Sequence, residues 1–407
     1  MYSRFHLDEK LILIFLLIVF SLSLTIPVLP NLNNIIVKIF IFTMVILINL
    51  SIPKILDSKI NSPELIDFSF ILVIMSFLIS CFYINLEENL NVDSLLSILT
   101  YVMNFVLFFL ILSKNFRLND TKFDVFTNII IYFAIVLSII SLVYFYFGIH
   151  SIQLYSNTSA GLFGHPNTTS MFYTICIPVL IYRYFSGKMN FPVFLCILIL
   201  FLTVLLFTFS RAGYIGVGTA ILIYTFYRSR VLFVLVSIIV AVIAYTIVLD
   251  FATSKVDSSA SRFLLILAAV SIITRSQNSL LWGYGPVNSV NVFIQEKIFY
   301  GNEPVPNPHN LLLQLTIHFG IIFTILTSIS IIILLIKGMI LKFKNEKFKN
   351  DQRLNLSMTI IIALIIQNFF EDVVVNPIYY VMPVFFFFCG YIYYTIKLKD
   401  IIGTETV

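Results

Sequence analysis

The sequence predicts an all-α, polytopic integral membrane protein of about twelve transmembrane helices, with one large outer loop before the tenth. Three observations lead there. Hydrophobic residues make up 59% of the chain and charged residues 11%, with a mean hydropathy of +1.01; soluble domains are about 25% charged, so only a bilayer takes up this much apolar surface. The apolar residues fall in runs that reach the ~20 residues of helix needed to cross ~30 Å of hydrocarbon. The lysines and arginines alternate from loop to loop, as membrane topology requires.

The spans in order are 11–29, 35–52, 65–84, 95–113, 128–148, 168–185, 191–209, 212–227, 231–249, 311–336, 356–375 and 379–396. The first follows Arg4 and Lys10 and ends Thr25-Ile26-Pro27. It is too long for a cleaved signal peptide and lacks a small-residue cleavage site, so it reads as a retained span. The stretch from 191 to 227 exceeds one span and divides at Ser210-Arg211, because arginine is costly in mid-bilayer. With both termini cytoplasmic, nineteen of the 25 lysines and arginines fall in inner segments. Outer segments carry Arg211, Lys255, Arg262, Arg275 and Lys297, while loops 85–94, 149–167 and 371–378 carry none; Lys38 lies at the outer end of the second span.

Residues 1–407 thus form a single transmembrane domain, within which 250–310 is the large periplasmic or extracellular loop. Inside it, Phe263–Ile273 is an apolar run too short to span, expected as a helix at the interface or packed on the bundle. Trp282-Gly283-Tyr284-Gly285-Pro286 is turn-rich and is expected to re-enter or skim the surface. The basic loop 337–355 reads as a solvated connection attracted to anionic lipid.

Composition also excludes functions. The net charge of +5 follows topology, and no basic patch interleaved with aromatics suggests nucleic acid. Cys81, Cys176, Cys196 and Cys389 all lie in apolar segments, as small buried side chains and not as disulfide partners or metal ligands. No Asp-x-Asp pair, phosphate-cradling glycine loop, Gly-x-Ser-x-Gly or His-x-x-Glu-His occurs. An enzyme built on this chain is expected to use no metal and no cofactor.

Few residues remain for chemistry. Arg211, in Thr208-Phe209-Ser210-Arg211-Ala212-Gly213, sits at an outer turn between spans. It either snorkels to the interface or offers a planar guanidinium to phosphate. Gly213, Gly216 and Gly218 follow it and let a neighbouring helix come close. Arg262 and Arg275 flank the apolar run, as interfacial anchors or headgroup ligands. His309, in Pro306-Asn307-Pro308-His309-Asn310, stands where prolines fix the entry to the tenth span. It reads as a helix cap or as a general base titrating near neutrality; His318 reads as packing. Gly164-His165-Pro166-Asn167 is a helix-entry turn with Asn167 as the expected N-cap. Glu371 and Asp372 end the eleventh span, either as charges in water or as acids that bind sugar hydroxyls, orient a base or pair with arginine.

Four of these pieces, in order, resemble the O-antigen polymerase and O-antigen ligase family of bacterial envelope glycosyltransferases, best over the second half of the chain. They are Gly164-His165-Pro166-Asn167, Ser210-Arg211-Ala212-Gly213, Arg262 followed by a helix and Leu281-Trp282-Gly283-Tyr284-Gly285-Pro286, and Asn307-Pro308-His309-Asn310. The family's histidine pattern is His, then Asn, Ser or Gln, nine residues, Gly, two residues, then Gly, Thr or Tyr. His309, Asn310 and Gly320 fit it and Phe323 departs at the last position.

The resemblance implies an oligosaccharide on polyprenyl diphosphate as donor, presented at the outer face of the bacterial cytoplasmic (inner) membrane. The glycan moves to a sugar hydroxyl. The resemblance places Arg211 and Arg262 at the diphosphate and His309 at the acceptor. Arg275, His165, Asn167, Asn310, Asp372 and Trp282 are the further candidates for substrate binding. Membrane lipid, a chain-length regulator and a flippase are the expected partners.

Three functions stay open: a polymerase of O-antigen or capsule repeat units, towards which Phe323 tilts the reading; a ligase delivering glycan to a lipid A-core acceptor; and, of another class, a lipid-linked glycan flippase or transporter. Transporters place ionisable residues and broken helices at the midplane of related halves, whereas the spans here are nearly uncharged and no halves match.

Overall fold

The computed structural model of the chain describes residues 65–87, 92–117, 120–147, 163, 165–252, 256–297, 308–371 and 381–397. The expected spans 11–29 and 35–52 lie outside them. Among the described residues the structure is helical, with no strand. Helix α1 is Leu65–Glu87. Then α2 (Val92–Asn104), a π-helical stretch (Phe105–Leu112) and α3 (Ser113–Arg117) form one continuous rod. There follow α4 (Asp120–Tyr146), α5 (Pro166–Phe185), α6 (Phe191–Phe207), α7 (Arg211–Arg228), α8 (Arg230–Ala252) and α9 (Val256–Thr274). The chain continues through α10 (Gln277–Trp282), α11 (Asn288–Lys297), α12 (Leu311–Lys344), α13 (Glu346–Lys349), α14 (Gln352–Asn368) and α15 (Val381–Lys397).

Each expected span from residue 65 onward overlaps a helix among the described residues. By length and apolarity, however, four segments suffice to cross a membrane: Leu65–Ile84, Ser97–Arg117, Thr121–Tyr146 and Leu311–Lys344. The chain is a helical membrane protein, and the count of twelve is not reached among the described residues. The physical reason lies in the central helices. Helix α5 buries Thr168, Thr169, Ser170 and Thr174, and α14 buries Asn355, Ser357, Thr359, Gln367 and Asn368. These side chains face protein, and Ser170, Thr174 and Gln367 bond to one another, so their helices need not be apolar all round.

Gln367 joins these helices. The Thr174 hydroxyl donates to Gln367 Oε1 at 2.7 Å, and Gln367 Nε2 donates to Ser170 Oγ at 3.3 Å. Small residues on α7 permit the approach: a Cβ on Gly213 would lie 2.3 Å from Ser170 Cβ, and one on Gly216 would lie 2.4 Å from Gln367 Oε1. Gln367→Ala leaves the Thr174 and Ser170 hydroxyls short of a partner and is expected to cost about 1–2 kcal/mol. Thermal unfolding in detergent measures it, and an unchanged melting temperature would show that the network contributes nothing.

Helix α12 is broken at Gly320, whose φ of 82° and ψ of 169° are not helical. A break inside a membrane strands carbonyls that water cannot reach. Neighbouring segments cap them. Tyr284 N–H donates to Ile317 O at 2.8 Å, Gly285 N–H to His318 O at 2.9 Å, and the Ser80 hydroxyl to Phe319 O at 2.7 Å. The Trp282–Pro286 turn therefore re-enters the bundle, where it completes a broken helix.

The loop expected over 250–310 is largely helical. Leu265, Ala268, Ala269, Ile272 and Ile273 of α9 pack with Phe293 of α11 and Ile317 of α12, so the short apolar run is packed on the bundle. The basic stretch 337–355 corrects the expectation of a solvated loop. Helix α12 runs on to Lys344, Lys342 is 2% exposed with its Nζ donating to Lys349 O at 2.9 Å, and Asp351 pairs with Arg117 at 3.6 Å. The segment folds back because the aliphatic stem of Lys342 and the Phe348 ring are buried against the helices. Of the cysteines, Cys81, Cys176 and Cys389 are buried as expected and Cys196 is exposed.

These contacts give the bundle two distinct ends. Gln352 Nε2 donates to Phe185 O at 3.2 Å, Lys188 pairs with Asp124, and Arg228 lies over the Phe185 ring at 5.5 Å. That end is rich in cations. The heads of α5, α7 and α12 and the tail of α14 lie at the other.

Candidate functional site

The site is built from these helix ends. Pro166 opens α5, where a missing N–H costs nothing. The N-cap before it is His165, not Asn167 as the sequence suggested: His165 Nδ1 accepts from Asn167 N at 3.1 Å. The Asn167 amide is free to be used elsewhere, and Nδ2 donates to Glu371 Oε1.

The head of α7 follows a tight turn in which Phe209 has φ of 49°. Ser210 caps the helix by accepting from Gly213 N at 3.1 Å, and Arg211 is its first residue, half-buried. Ser170, one turn into α5, reaches Ser210 Oγ at 3.0 Å, so the heads of α5 and α7 are locked side by side.

At the head of α12, Asn310 Oδ1 accepts from Leu312 N and Leu313 N at 3.0 and 3.1 Å. Its Nδ2 donates to Phe369 O at 3.0 Å, which ties α12 to the tail of α14. Both polar atoms of Asn310 thus serve the fold. His309 precedes it with φ of 50°, a left-handed conformation uncommon outside glycine.

Two residues beyond Phe369, Glu371 is 1% exposed, and its Oε2 lies 3.2 Å from His309 Nδ1. His165 lies within electrostatic reach of both. Burial holds the His165 imidazole below its ordinary value, Glu371 opposes this and His309 adds to it. His165 is therefore neutral near pH 7. With Nδ1 engaged by its own cap, it presents Nε2–H as a donor.

His165, Asn167, His309 and Glu371 so form one cluster, with Arg211 on the adjacent helix head. Three helix N-termini point at this end, each with a partial positive charge suited to an anion. A guanidinium fork, a neutral imidazole donor and a second imidazole beside a carboxylate are the groups that acid–base chemistry at an anionic ester needs.

Other expected residues lie elsewhere. Trp282 lies tilted 6.0 Å from Tyr83 and adjoins Gly320, about 13 Å along α12 from Leu311 at its head. Arg275 is largely exposed and pairs with Glu296 at 3.4 Å. Arg262 is described in its backbone alone, on α9, and Asp372 lies outside the described residues. His318 is buried against Tyr101 and Gln314, in keeping with packing. The acid that the sequence reading did not single out is Glu371. Two adjacent acids end the same span, and nothing in their order tells which one turns inward.

Below the site lies an apolar cavity of about 360 Å³, bounded by α1, the π-helical stretch, α12 and α15. Its upper edge is Leu311, two residues from His309, and it extends past Phe319 and Phe323 to Ile331. Phe323, the departure from the family pattern, packs on Phe77 and Phe319 in its wall.

Residues 196–328 match the O-antigen ligase family. The match spans about a third of the chain and bears out the resemblance to the O-antigen polymerase and ligase family read from the motifs. It contains Arg211, Arg262, the Trp282–Pro286 turn, His309 and Gly320, and leaves His165, Asn167 and Glu371 outside. It points to membrane glycan processing. No curated protein matches the chain.

Proposed function

We infer that the chain is a membrane glycosyltransferase that moves oligosaccharide repeat units from polyprenyl diphosphate to a sugar hydroxyl, as a polymerase of O-antigen or capsular polysaccharide. One observation carries this reading: His309, Glu371, His165 and Arg211 gather at one end of the bundle, where three helices begin. The cation-rich opposite end supports a site on the outer face of the cytoplasmic membrane, because basic residues prefer the cytoplasm. Twelve spans fit that orientation, with two of them in the first 64 residues.

The chemistry follows from the groups present. His309 Nε2 accepts the proton of the acceptor hydroxyl as its oxygen bonds to the anomeric carbon of the donor. The bond from that carbon to the diphosphate oxygen breaks, and polyprenyl diphosphate leaves with the electron pair. The proton on His309 then passes to solvent. Negative charge builds on the leaving group, and Arg211 with the helix N-termini stabilises it in a site of low dielectric. Arg262 is the second arginine of this reading. The cavity beginning at Leu311 supports it further, as an apolar enclosure for the first part of the polyprenyl chain.

Purified protein in nanodiscs, given lipid-linked repeat units and no ion gradient, is expected to yield longer glycans. His309→Ala is expected to lower the rate at least ~10²-fold, the lower range of what general-base catalysis supplies. Transfer by His309→Ala at the wild-type rate would remove the histidine from the reaction. A protein that elongates nothing and moves lipid-linked glycan between leaflets would be a flippase instead.

The description of the matching family favours a second reading, an O-antigen ligase. Glycan lengths in a deletion strain separate the two. Loss of a polymerase leaves single repeat units on the lipid A-core, and loss of a ligase leaves long chains on the carrier lipid.

A further inference from the structure

Glu371 is the least exposed ionisable side chain of the cluster, and a carboxylate withdrawn from water is costly unless both oxygens are engaged. Each oxygen has a contact: Asn167 Nδ2 on Oε1 and His309 Nδ1 on Oε2. The partners come from separate helices, so Glu371 links the heads of α5 and α12 to the tail of α14. The spacing is fixed independently, because Asn310 Nδ2 holds Phe369 O, one residue along from His309 and two residues before Glu371. His309 itself sits in a left-handed conformation that persists only where its surroundings over-determine it.

We propose that Glu371 is the positioning residue for His309: it fixes the imidazole through Nδ1 and turns Nε2 towards the acceptor hydroxyl. The role rests on the glycosyl-transfer reading given above. A carboxylate 3.2 Å from Nδ1, at ion-pair distance though without hydrogen-bond geometry, favours the proton on that nitrogen and leaves the Nε2 lone pair outward, which sets both tautomer and direction. His165 does not compete for this part, because its Nδ1 is taken by Asn167 N. Asn167 supports the acid by holding its other oxygen, which makes the side chain a second-tier contributor to the same geometry.

The test uses the full chain in nanodiscs with lipid-linked repeat units. Glu371→Gln keeps size and hydrogen-bonding capacity and removes the charge. Its kcat is expected to fall about 10- to 100-fold, part of the ~10²–10⁴ that a general base supplies, with the KM for the lipid-linked donor within about twofold of wild type. Among the described residues, Glu371 after α14 and His165 at the head of α5 lie against His309, and Arg211 begins α7, whose N-cap Ser210 is bonded to Ser170 of α5.

Glu371→Asp keeps the charge and is expected to recover part of the kcat lost in Glu371→Gln, with the KM for the donor unchanged. Melting temperatures identify any variant that fails to fold. If Glu371→Gln is one, Glu371→Asp carries the test, and wild-type kcat or a defect confined to KM there overturns the proposal. Wild-type kcat in Glu371→Gln also overturns it, as does a defect confined to KM. An active His309→Ala would instead sink the glycosyl-transfer reading, whereas an inactive His309→Ala beside an unchanged Glu371→Gln sinks only the role of Glu371.

Discussion

Gly320→Ala is expected to prevent the protein from assembling in a stable form. A Cβ at this position would lie 1.9 Å from Leu281 O and 2.3 Å from its carbonyl carbon, both backbone atoms that no rotamer change moves aside. The conformation, φ of 82° with ψ of 169°, belongs to a region occupied essentially by glycine. Gly283 faces the same junction, where its own Cβ would come within 2.6 Å of His318 C and O. The two glycines interlock α10 with the break in α12, and separation would uncap the carbonyls of Ile317 and His318. Each unpaired carbonyl costs about 1–3 kcal/mol, and the strain at Gly320 adds ~1–3 kcal/mol. The sum is a large part of the ~5–15 kcal/mol that typically separates folded from unfolded chains.

Size-exclusion profiles and thermal melts of detergent-solubilised protein measure this effect. Gly187→Ala is the control. Its φ of 69° is also left-handed, but nothing lies within 4 Å of the added Cβ. It is expected to cost only ~1–2 kcal/mol, the usual penalty of that conformation. Gly320→Ala protein that melts like wild type would show that the two segments do not interlock.

Arg211→Ala is expected to leave the fold intact and to reduce glycan transfer about 10²–10³-fold, the effect of deleting one preorganised donor to a developing negative charge. The fold survives because Ser210, not Arg211, caps α7, and because close packing at Gly213 and Gly216 holds the helix. Arg211→Lys restores charge without the planar fork and is expected to recover only part of the rate. Initial rates of elongation with purified protein, at saturating and limiting donor, separate binding from catalysis. Arg211→Ala activity within threefold of wild type would remove the guanidinium from the leaving-group site.

Particular residues show what was legible in advance. Leu65, Ile71 and Met75 on α1 belong to runs whose apolarity alone marks a span, since no other solvent accepts them. The turn at Ser210-Arg211 was marked by the cost of a charge in hydrocarbon. The proline before Asn167 marked a helix head, although the cap itself fell to His165. Gly320 was visible as part of a spacing pattern, but its break in α12 was not. The need for glycine there arises from Leu281, 39 positions earlier in the chain.

By itself, the sequence determined that this chain lives in a bilayer, where its helices run, and that Arg211 and His309 stand at helix heads. Those properties depend on local composition and on residues adjacent in the chain. The tertiary structure decided that Glu371, and not a more distant acid, meets His309, that Asn310 reaches Phe369, and that Trp282 lies well along α12 from the cluster. Such facts depend on the register and contact of helices tens of residues apart in the chain. They are set by close packing at small residues such as Gly213 and Gly216 and by buried polar bonds such as that between Asn310 and Phe369.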